Sequence, residues 1–167
     1  LSDYTQDGRI VVLEWFNPDC PFIKKHHDTA KTMNELEQKY GDRGVVWLAI
    51  NSNAPGKQGS GLERNRKAHA EYEMTYPILL DGSGEVGLAY GAKTTPHMFV
   101  IDEGGVVRYA GAIDSDSSWD RMGEVNYVDA ALQALLNGEK VETATSKPYG
   151  CSVKYPSCLL YTSDAAD

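Results

Sequence analysis

Two near-continuous apolar runs, at residues 10–16 and 45–51, each predict a strand buried on both faces of a sheet. Between them, apolar residues at helical spacing predict one long helix over residues 21–40, which ends at Gly41. A strand, a helix and a second strand in this order are typical of a parallel crossover.

The rest of the chain predicts shorter elements. In order, we expect a polar helix from a Ser60–Glu63 capping box to about residue 73, a strand at 76–80, a helix at 85–90, a hairpin of strands 97–102 and 106–112, and a helix at 127–137. Residues 139–155 show little regular pattern. Together the elements predict an α/β fold, with a central mixed sheet and helices on both faces.

Composition excludes two classes of protein. The chain has 167 residues, 41% of them hydrophobic, and a formal net charge of −8. This acidic balance argues against nucleic-acid and anionic-membrane binding, which depend on clustered Lys and Arg. No apolar run approaches the roughly 18 residues of a membrane span. The composition is that of a globular protein of one domain.

The two ends of the sequence set the expected bounds of the domain. Residues 158–167 resemble a translated sequencing adapter, so we expect one domain over residues 1–156 and a non-native tail at 157–167. We also expect the domain to be truncated before Leu1, which leaves any signal peptide unobservable. Without the tail, the cysteines fall from three to two, Cys20 and Cys151.

Cys20 stands where the first predicted strand gives way to a helix, with Pro21 in the first helical turn. Helix N-termini favour the thiolate form of cysteine, and reactive groups of α/β sheets collect at the carboxyl ends of strands. Glu14, an acid inside the apolar strand, is either a proton acceptor of raised pKa serving Cys20 or the partner of a lysine such as Lys24. The alternative for Cys20 is a buried, inert thiol.

Two further patterns near the site are ambiguous. Thr95-Pro96 directly precedes a strand and is either a cis or an ordinary trans peptide. His26 and His27 suggest a metal site with Cys20, but helical phase favours one buried, hydrogen-bonded histidine and one boundary histidine. We therefore expect no metal and no cofactor.

Three segments together resemble the thioredoxin superfamily, and within it the redoxin or peroxiredoxin-like (AhpC/TSA) branch. They are Val12-Leu-Glu-Trp-Phe-Asn-Pro-Asp-Cys20, Leu79-Leu-Asp-Gly-Ser-Gly-Glu-Val, and Tyr90-Gly-Ala-Lys-Thr-Thr-Pro-His-Met-Phe-Val-Ile-Asp102. The resemblance implies a thioredoxin-like fold, with Cys20 as nucleophile, Glu14 as the buried acid and Pro96 as the cis-proline.

The sequence also departs from the family. Thioredoxins read Cys-x-x-Cys, but Ile23 holds the second position here. Asn17 and Pro96 stand where peroxiredoxins carry the Thr or Ser and the Arg that polarise a peroxide, which argues against a fast peroxidase. The segment 149–155 resembles the tail of the peroxiredoxin-like group, so Cys151 is a candidate resolving cysteine. A tail cysteine without a redox partner is the alternative.

We therefore predict a thiol-dependent oxidoreductase whose Cys20 thiolate attacks a disulfide or a hydroperoxide. Glu14 would move the proton, and Thr95, Pro96 and Pro21 would bind substrate, with the Thr95 backbone aligning it as an added strand. Cys151 or an external thiol reductant would close the cycle.

Two other functions remain open at this point. One is a non-catalytic binding module that uses the Pro96 groove and the Trp119 loop, and the other is a metal carrier using Cys20 and His27. The expected partners are a protein thiol or disulfide or a small hydroperoxide. By family analogy we expect a bacterial protein outside the cytoplasm, although the sequence also tolerates the cytoplasm.

Overall fold

A five-stranded mixed sheet forms the centre of the protein in the computed structural model, which describes residues 2–157. Its strands are β1 Ile10–Trp15, β2 Val45–Asn51, β3 Ile78–Leu80, β5 Met98–Ile101 and β6 Val107–Gly111, while β4 Thr94–Thr95 and β7 Cys151–Ser152 form a separate pair. The order is β3-β2-β1-β5-β6, with β1 to β3 parallel and β5 and β6 antiparallel to their neighbours. The adapter-like tail at 158–167 lies outside the described residues.

Helices cover both faces of this sheet. They are α1 Ser2–Gln6, α2 Pro21–Lys24, a π-helical turn Lys25–Thr29, α3 Thr32–Gly41, α4 Leu62–Glu71, α5 Glu85–Tyr90 and α6 Tyr127–Leu136. None of the helices within residues 2–157 has the length and apolar character needed to cross a membrane.

The central strand β1 shows why both faces are covered. Val12 packs in one apolar cluster with residues of α3, α4 and α6, including Leu132. The next residue, Leu13, points to the opposite face and joins a second cluster that contains Tyr90 of α5 and Val153 of the C-terminal segment. The predicted fold class, a mixed sheet between helices, is confirmed.

Two local predictions were wrong. The expected single helix over 21–40 is interrupted by the π-helical turn and by Lys31, whose φ of 49° is left-handed. The π-helical turn buries three successive residues, Lys25, His26 and His27, which a regular amphipathic helix would not do.

The capping box is the second wrong prediction. Gly61, with φ 86°, is the N-cap of α4, and the Ser60 hydroxyl instead donates to the carbonyl of Lys57. A glycine adopts this left-handed conformation without the steric cost that a side chain would add. The helix consequently begins at Leu62.

Candidate active site

A tight turn carries Cys20 past the carboxyl end of β1. The Asn17 side-chain oxygen accepts a hydrogen bond from the Asp19 N–H at 3.0 Å, and the Cys20 N–H donates to the Asn17 carbonyl at 3.1 Å. Cys20 is then the extended N-cap of α2, and Pro21 begins the helix. The turn leaves Cys20 with no exposed surface.

The Cys20 thiol meets the Thr95–Pro96 segment, which is 75 residues away in the sequence. Its Sγ donates a hydrogen bond to the carbonyl of Thr95 at 3.0 Å, and the Thr95–Pro96 peptide bond is cis. Of the two alternatives that the sequence left open for this peptide bond, the structure has the one that the family resemblance implied.

Cys151 lies beside the same carbonyl group. Strands β4 and β7 pair antiparallel, with Thr95 in register with Cys151. The pKa of the Cys151 thiol is raised to about 12, first by burial and then by a hydrogen bond and charge interaction with Cys20. Both cysteines are free thiols, and both meet Thr95: Cys20 Sγ donates to its carbonyl, and Cys151 pairs with it in the sheet. The site therefore contains an adjacent pair of thiols without a Cys-x-x-Cys motif.

Gly150 allows the backbone to approach Thr95 closely enough for Cys151 to pair with it. Its φ of 138° is favoured by glycine, and a Cβ at this residue would overlap the carbonyl oxygen of Thr95. The backbone at residue 150 therefore lies against the Thr95–Pro96 segment, and the next residue is Cys151.

The position of β7 corrects one expectation about substrate binding. We expected the Thr95 backbone to align an extended substrate as an added strand. The protein's own residues Cys151 and Ser152 already pair with Thr95 and Thr94. Because one strand edge accepts one neighbour, an added substrate strand here would first have to displace the tail.

A buried polar cluster anchors the tail two residues before Cys151. The Tyr149 hydroxyl donates to Asp114 Oδ1 at 2.5 Å and lies 2.9 Å from His26 Nε2. Lys25 Nζ donates to this hydroxyl at 3.2 Å and to the carbonyls of Asp116 and Ser118 at 3.0 Å. Burial lowers the pKa of Lys25, which Asp114 counteracts, and burial lowers that of His26 to about 4.

We expect Tyr149→Phe to loosen the tail without unfolding the domain. The change removes the hydroxyl and leaves buried polar partners unsatisfied, which costs about 2 kcal/mol, or about thirtyfold in an opening equilibrium. Hydrogen exchange of the Val153 N–H, which donates to the Lys93 carbonyl, measures that opening. Tyr40→Phe is the control, because it removes a comparable hydroxyl–carboxylate hydrogen bond, to Asp129, between α3 and α6. Unchanged protection in Tyr149→Phe would contradict the anchoring role.

The tail is also anchored after Cys151. The Lys154 N–H donates to Asn53 Oδ1 at 2.9 Å, and the Ala54 N–H donates to the Lys154 carbonyl at 2.8 Å. The Tyr155 hydroxyl donates to the carbonyl of Ala92 at 2.8 Å. We call residues 149–155 the tail strap. It is held on both sides of Cys151.

Glu14 is buried as expected, but its pKa was wrongly predicted. Burial raises that pKa, yet the charge of His27 and hydrogen bonds from His27, Trp47 and Tyr76 outweigh burial and lower it. His27 Nε2 lies 2.6 Å from Oε1, while Trp47 and Tyr76 donate to Oε2 at 3.1 and 2.9 Å. The partner of Glu14 is therefore His27 and not Lys24. A carboxylate of lowered pKa is a weak base, which argues against the proton-acceptor role.

We expect Glu14→Gln to destabilise the fold by about 3 kcal/mol at pH 7, because it removes the buried carboxylate that pairs with the His27 ring and accepts hydrogen bonds from Trp47 and Tyr76. Because folding lowers the pKa of Glu14, the ionised carboxylate contributes its full stabilisation above its unfolded pKa near 4.5. That contribution to the free energy of unfolding is lost as the pH falls through the folded pKa. Urea unfolding at several pH values should show the gap between wild type and variant narrowing below about pH 4.5. Exposed Glu63→Gln is the control. A gap that does not change with pH would contradict this account.

The histidine prediction was half right. His26 is buried and hydrogen-bonded as expected, but His27, expected at the boundary, is 1% exposed and bound to Glu14. Within the described part of the chain, no group of three or more His, Cys, Asp and Glu residues could hold a metal ion. The π-helical turn explains the burial of both rings, since it brings adjacent residues inside together.

The Trp119 loop forms a groove beside α2. Trp119 is 66% exposed and lines, with Met122 and Pro21, a cavity of about 310 Å³. Lys24 and Asp28 lie on its helical side. The groove is the surface on which the binding-module alternative would depend.

Sequence reasoning missed the residues that place Cys151. Tyr149 and Gly150 stood in a segment without periodicity, and Lys25 lay within the helix predicted over residues 21–40 without being singled out. A sequence signal for two of them existed in the resemblance of segment 149–155 to the tail of a known group. The partnership of Lys25 with Asp114 has no local signal, because the residues are 89 positions apart.

Comparison with known proteins gives a family match and several curated relatives. Residues 1–132 match the Redoxin family. Thiol-disulfide oxidoreductase ResA of Geobacillus thermodenitrificans is 33% identical over 109 residues, which are 65% of this chain and 56% of that protein. The chain thus spans little more than half the length of the curated relatives it matches.

Solved structures agree on the fold. An uncharacterized conserved protein from Geobacillus kaustophilus is 30% identical, with a TM-score of 0.77 over 90% of this chain and 79% of that one. A thioredoxin-like protein from Aeropyrum pernix, 24% identical, has a TM-score of 0.52 over 65% of this chain and 71% of that one. The fold is therefore thioredoxin-like.

Proposed function

The chain belongs to the Redoxin family, and on that premise we propose that it is a thiol–disulfide oxidoreductase whose redox couple is Cys20 and Cys151. One observation carries the proposal. Cys151 is in register with Thr95, and the Thr95 carbonyl accepts the hydrogen bond from Cys20 Sγ. Two thiols held side by side form a disulfide without a large rearrangement.

The reaction is a two-electron exchange. One thiolate of the couple attacks the partner's disulfide, which forms a mixed disulfide and releases the partner's first sulfur as a thiolate that takes up a proton. The other cysteine, as a thiolate, then attacks the protein sulfur of the mixed disulfide and closes the Cys20–Cys151 bond. The partner leaves as a thiolate and takes up a proton. The net result is that the protein dithiol becomes a Cys20–Cys151 disulfide while the partner's disulfide becomes two thiols.

The other site residues have supporting roles in this proposal. Thr95 and Pro96 hold the Cys20 thiol and the tail strap together, and Pro21 begins the helix that fixes Cys20. Glu14 holds His27 against Phe16, the residue that follows β1, with ring centroids 5.4 Å apart. Glu14 thus acts as a positioning residue beneath the Cys20 turn.

The partners follow from the same chemistry. A protein thiol or disulfide is the substrate, and an external thiol regenerates the reduced form. We propose a bacterial location outside the cytoplasm, because disulfides persist in oxidising compartments. Thiol–disulfide exchange is preferred over hydroperoxide reduction, because the Asn17 side-chain oxygen accepts a bond from the Asp19 N–H. The Asn17 side-chain oxygen is thereby engaged in shaping the turn.

Exchange with a model disulfide tests the proposal. The protein, with glutathione as reductant, should reduce a peptide disulfide over many turnovers, faster than glutathione alone. Stoichiometric reduction only, or no acceleration, would contradict the proposal and favour the binding module. That result would direct attention to the Trp119 groove, to be tested with peptides that lack cysteine.

A further inference from the structure

The two sulfurs of the couple differ in their access to solvent. Cys20 has no exposed surface, while Cys151 is partly exposed. We propose that external partners exchange with this protein at Cys151 and not at Cys20: an incoming thiolate attacks the Cys151 sulfur of the oxidised protein. This inference rests on the proposed function and reverses the order expected from the family resemblance, in which Cys20 would meet the substrate.

The tail strap enforces this order. It covers Cys20 and is anchored before Cys151 by the Tyr149 cluster and after it by Tyr155 on Ala92. At Gly150 the backbone of the strap lies directly against the Thr95 carbonyl group, with no room for even a Cβ between them. A partner that required Cys20 would therefore have to break several hydrogen bonds first, whereas Cys151 is reached with every anchor in place.

Each step exchanges one disulfide bond for another. A partner thiolate forms a bond to Cys151 Sγ, the Cys20–Cys151 bond breaks, and Cys20 leaves with the electron pair and takes up a proton. A second partner thiolate then attacks the partner's sulfur in the mixed disulfide and releases Cys151, which is protonated in turn. Two external thiols are oxidised to one disulfide, and the protein disulfide is reduced to two thiols.

The charges around Cys151 agree with this direction. Lys154 acts electrostatically on the Cys151 sulfur, so its positive charge favours the approach of an anionic thiolate. The raised pKa of Cys151, near 12, makes it a poor leaving group. Attack at Cys151 does not require that sulfur to leave in the first step, whereas attack at Cys20 would.

The test traps the first mixed disulfide. The full chain is oxidised, and a non-reducing peptide map establishes the Cys20–Cys151 bridge. Reduced glutathione is added, and the reaction is quenched with acid before one tenth of the bridge has been reduced. Free thiols are then blocked with N-ethylmaleimide. Peptide mass spectrometry then shows which cysteine carries glutathione and which carries the blocking group. Early quenching matters because Cys20 attacks the adduct and restores the bridge.

We expect glutathione on Cys151 and N-ethylmaleimide on Cys20, with an excess of about tenfold over the opposite pattern. Glutathione mainly on Cys20 would overturn this inference and leave the proposed function standing. If the starting map contains no Cys20–Cys151 bridge, the proposed function fails and this inference fails with it.

Discussion

Replacing Cys20 with serine should abolish thiol–disulfide turnover. Serine has nearly the same size and can still donate a hydrogen bond to the Thr95 carbonyl, so the turn and the strap remain in place. Its hydroxyl cannot form a disulfide. We therefore expect the rate with a peptide disulfide and glutathione to fall by about three orders of magnitude or more.

Two matched variants complete this experiment. Cys151→Ser should also lose turnover, because the internal bond needs both sulfurs. Cys158→Ser changes a cysteine that lies outside the described residues and should keep the wild-type rate. Circular dichroism and urea unfolding confirm that each variant folds. Turnover by Cys20→Ser at the wild-type rate would remove Cys20 from the reaction.

Oxidation should stabilise the protein strongly. A Cys20–Cys151 bond closes a loop of about 130 residues, and the chain-entropy model gives such a crosslink about 5 kcal/mol. Thr95 pairs with Cys151 and accepts the Cys20 hydrogen bond in the reduced state, so we expect little native-state distortion to reduce this figure. Urea unfolding of the oxidised and reduced protein at equal concentration measures the difference in free energy of unfolding.

The control for this measurement is Cys151→Ser, whose stability should not change between oxidising and reducing buffers. A wild-type difference below about 1 kcal/mol would mean that bridging distorts the native state as much as it restricts the unfolded chain. That result would argue against a preformed dithiol site.

The elements that carry strong local patterns were predictable. Strands β1 and β2 are continuous apolar runs, and helix α5 ends at Gly91 as its glycine indicated. The position of Cys20 at a helix N-cap followed from Pro21 and from the break in the strand. In each case the determining residues are neighbours in the sequence.

The tail strap was not predictable in the same way. Residues 139–155 have no helical or strand period, because their order comes from single contacts with distant residues. Tyr149 meets Asp114, Tyr155 meets Ala92, and Cys151 meets Thr95. Lys25 is likewise buried with partners near residue 116, about 90 positions away in the sequence. Such contacts depend on the whole fold and leave no trace in local patterning.

The central claim is that Cys20 and Cys151 form one redox couple. A non-reducing peptide map before and after one equivalent of hydrogen peroxide tests it most directly, on the full chain and on a chain that ends at Pro156. We expect both to gain a single bridge joining the peptides of Cys20 and Cys151, with the loss of two hydrogens. Two untouched thiols, or a bridge that involves Cys158 instead, would contradict the claim.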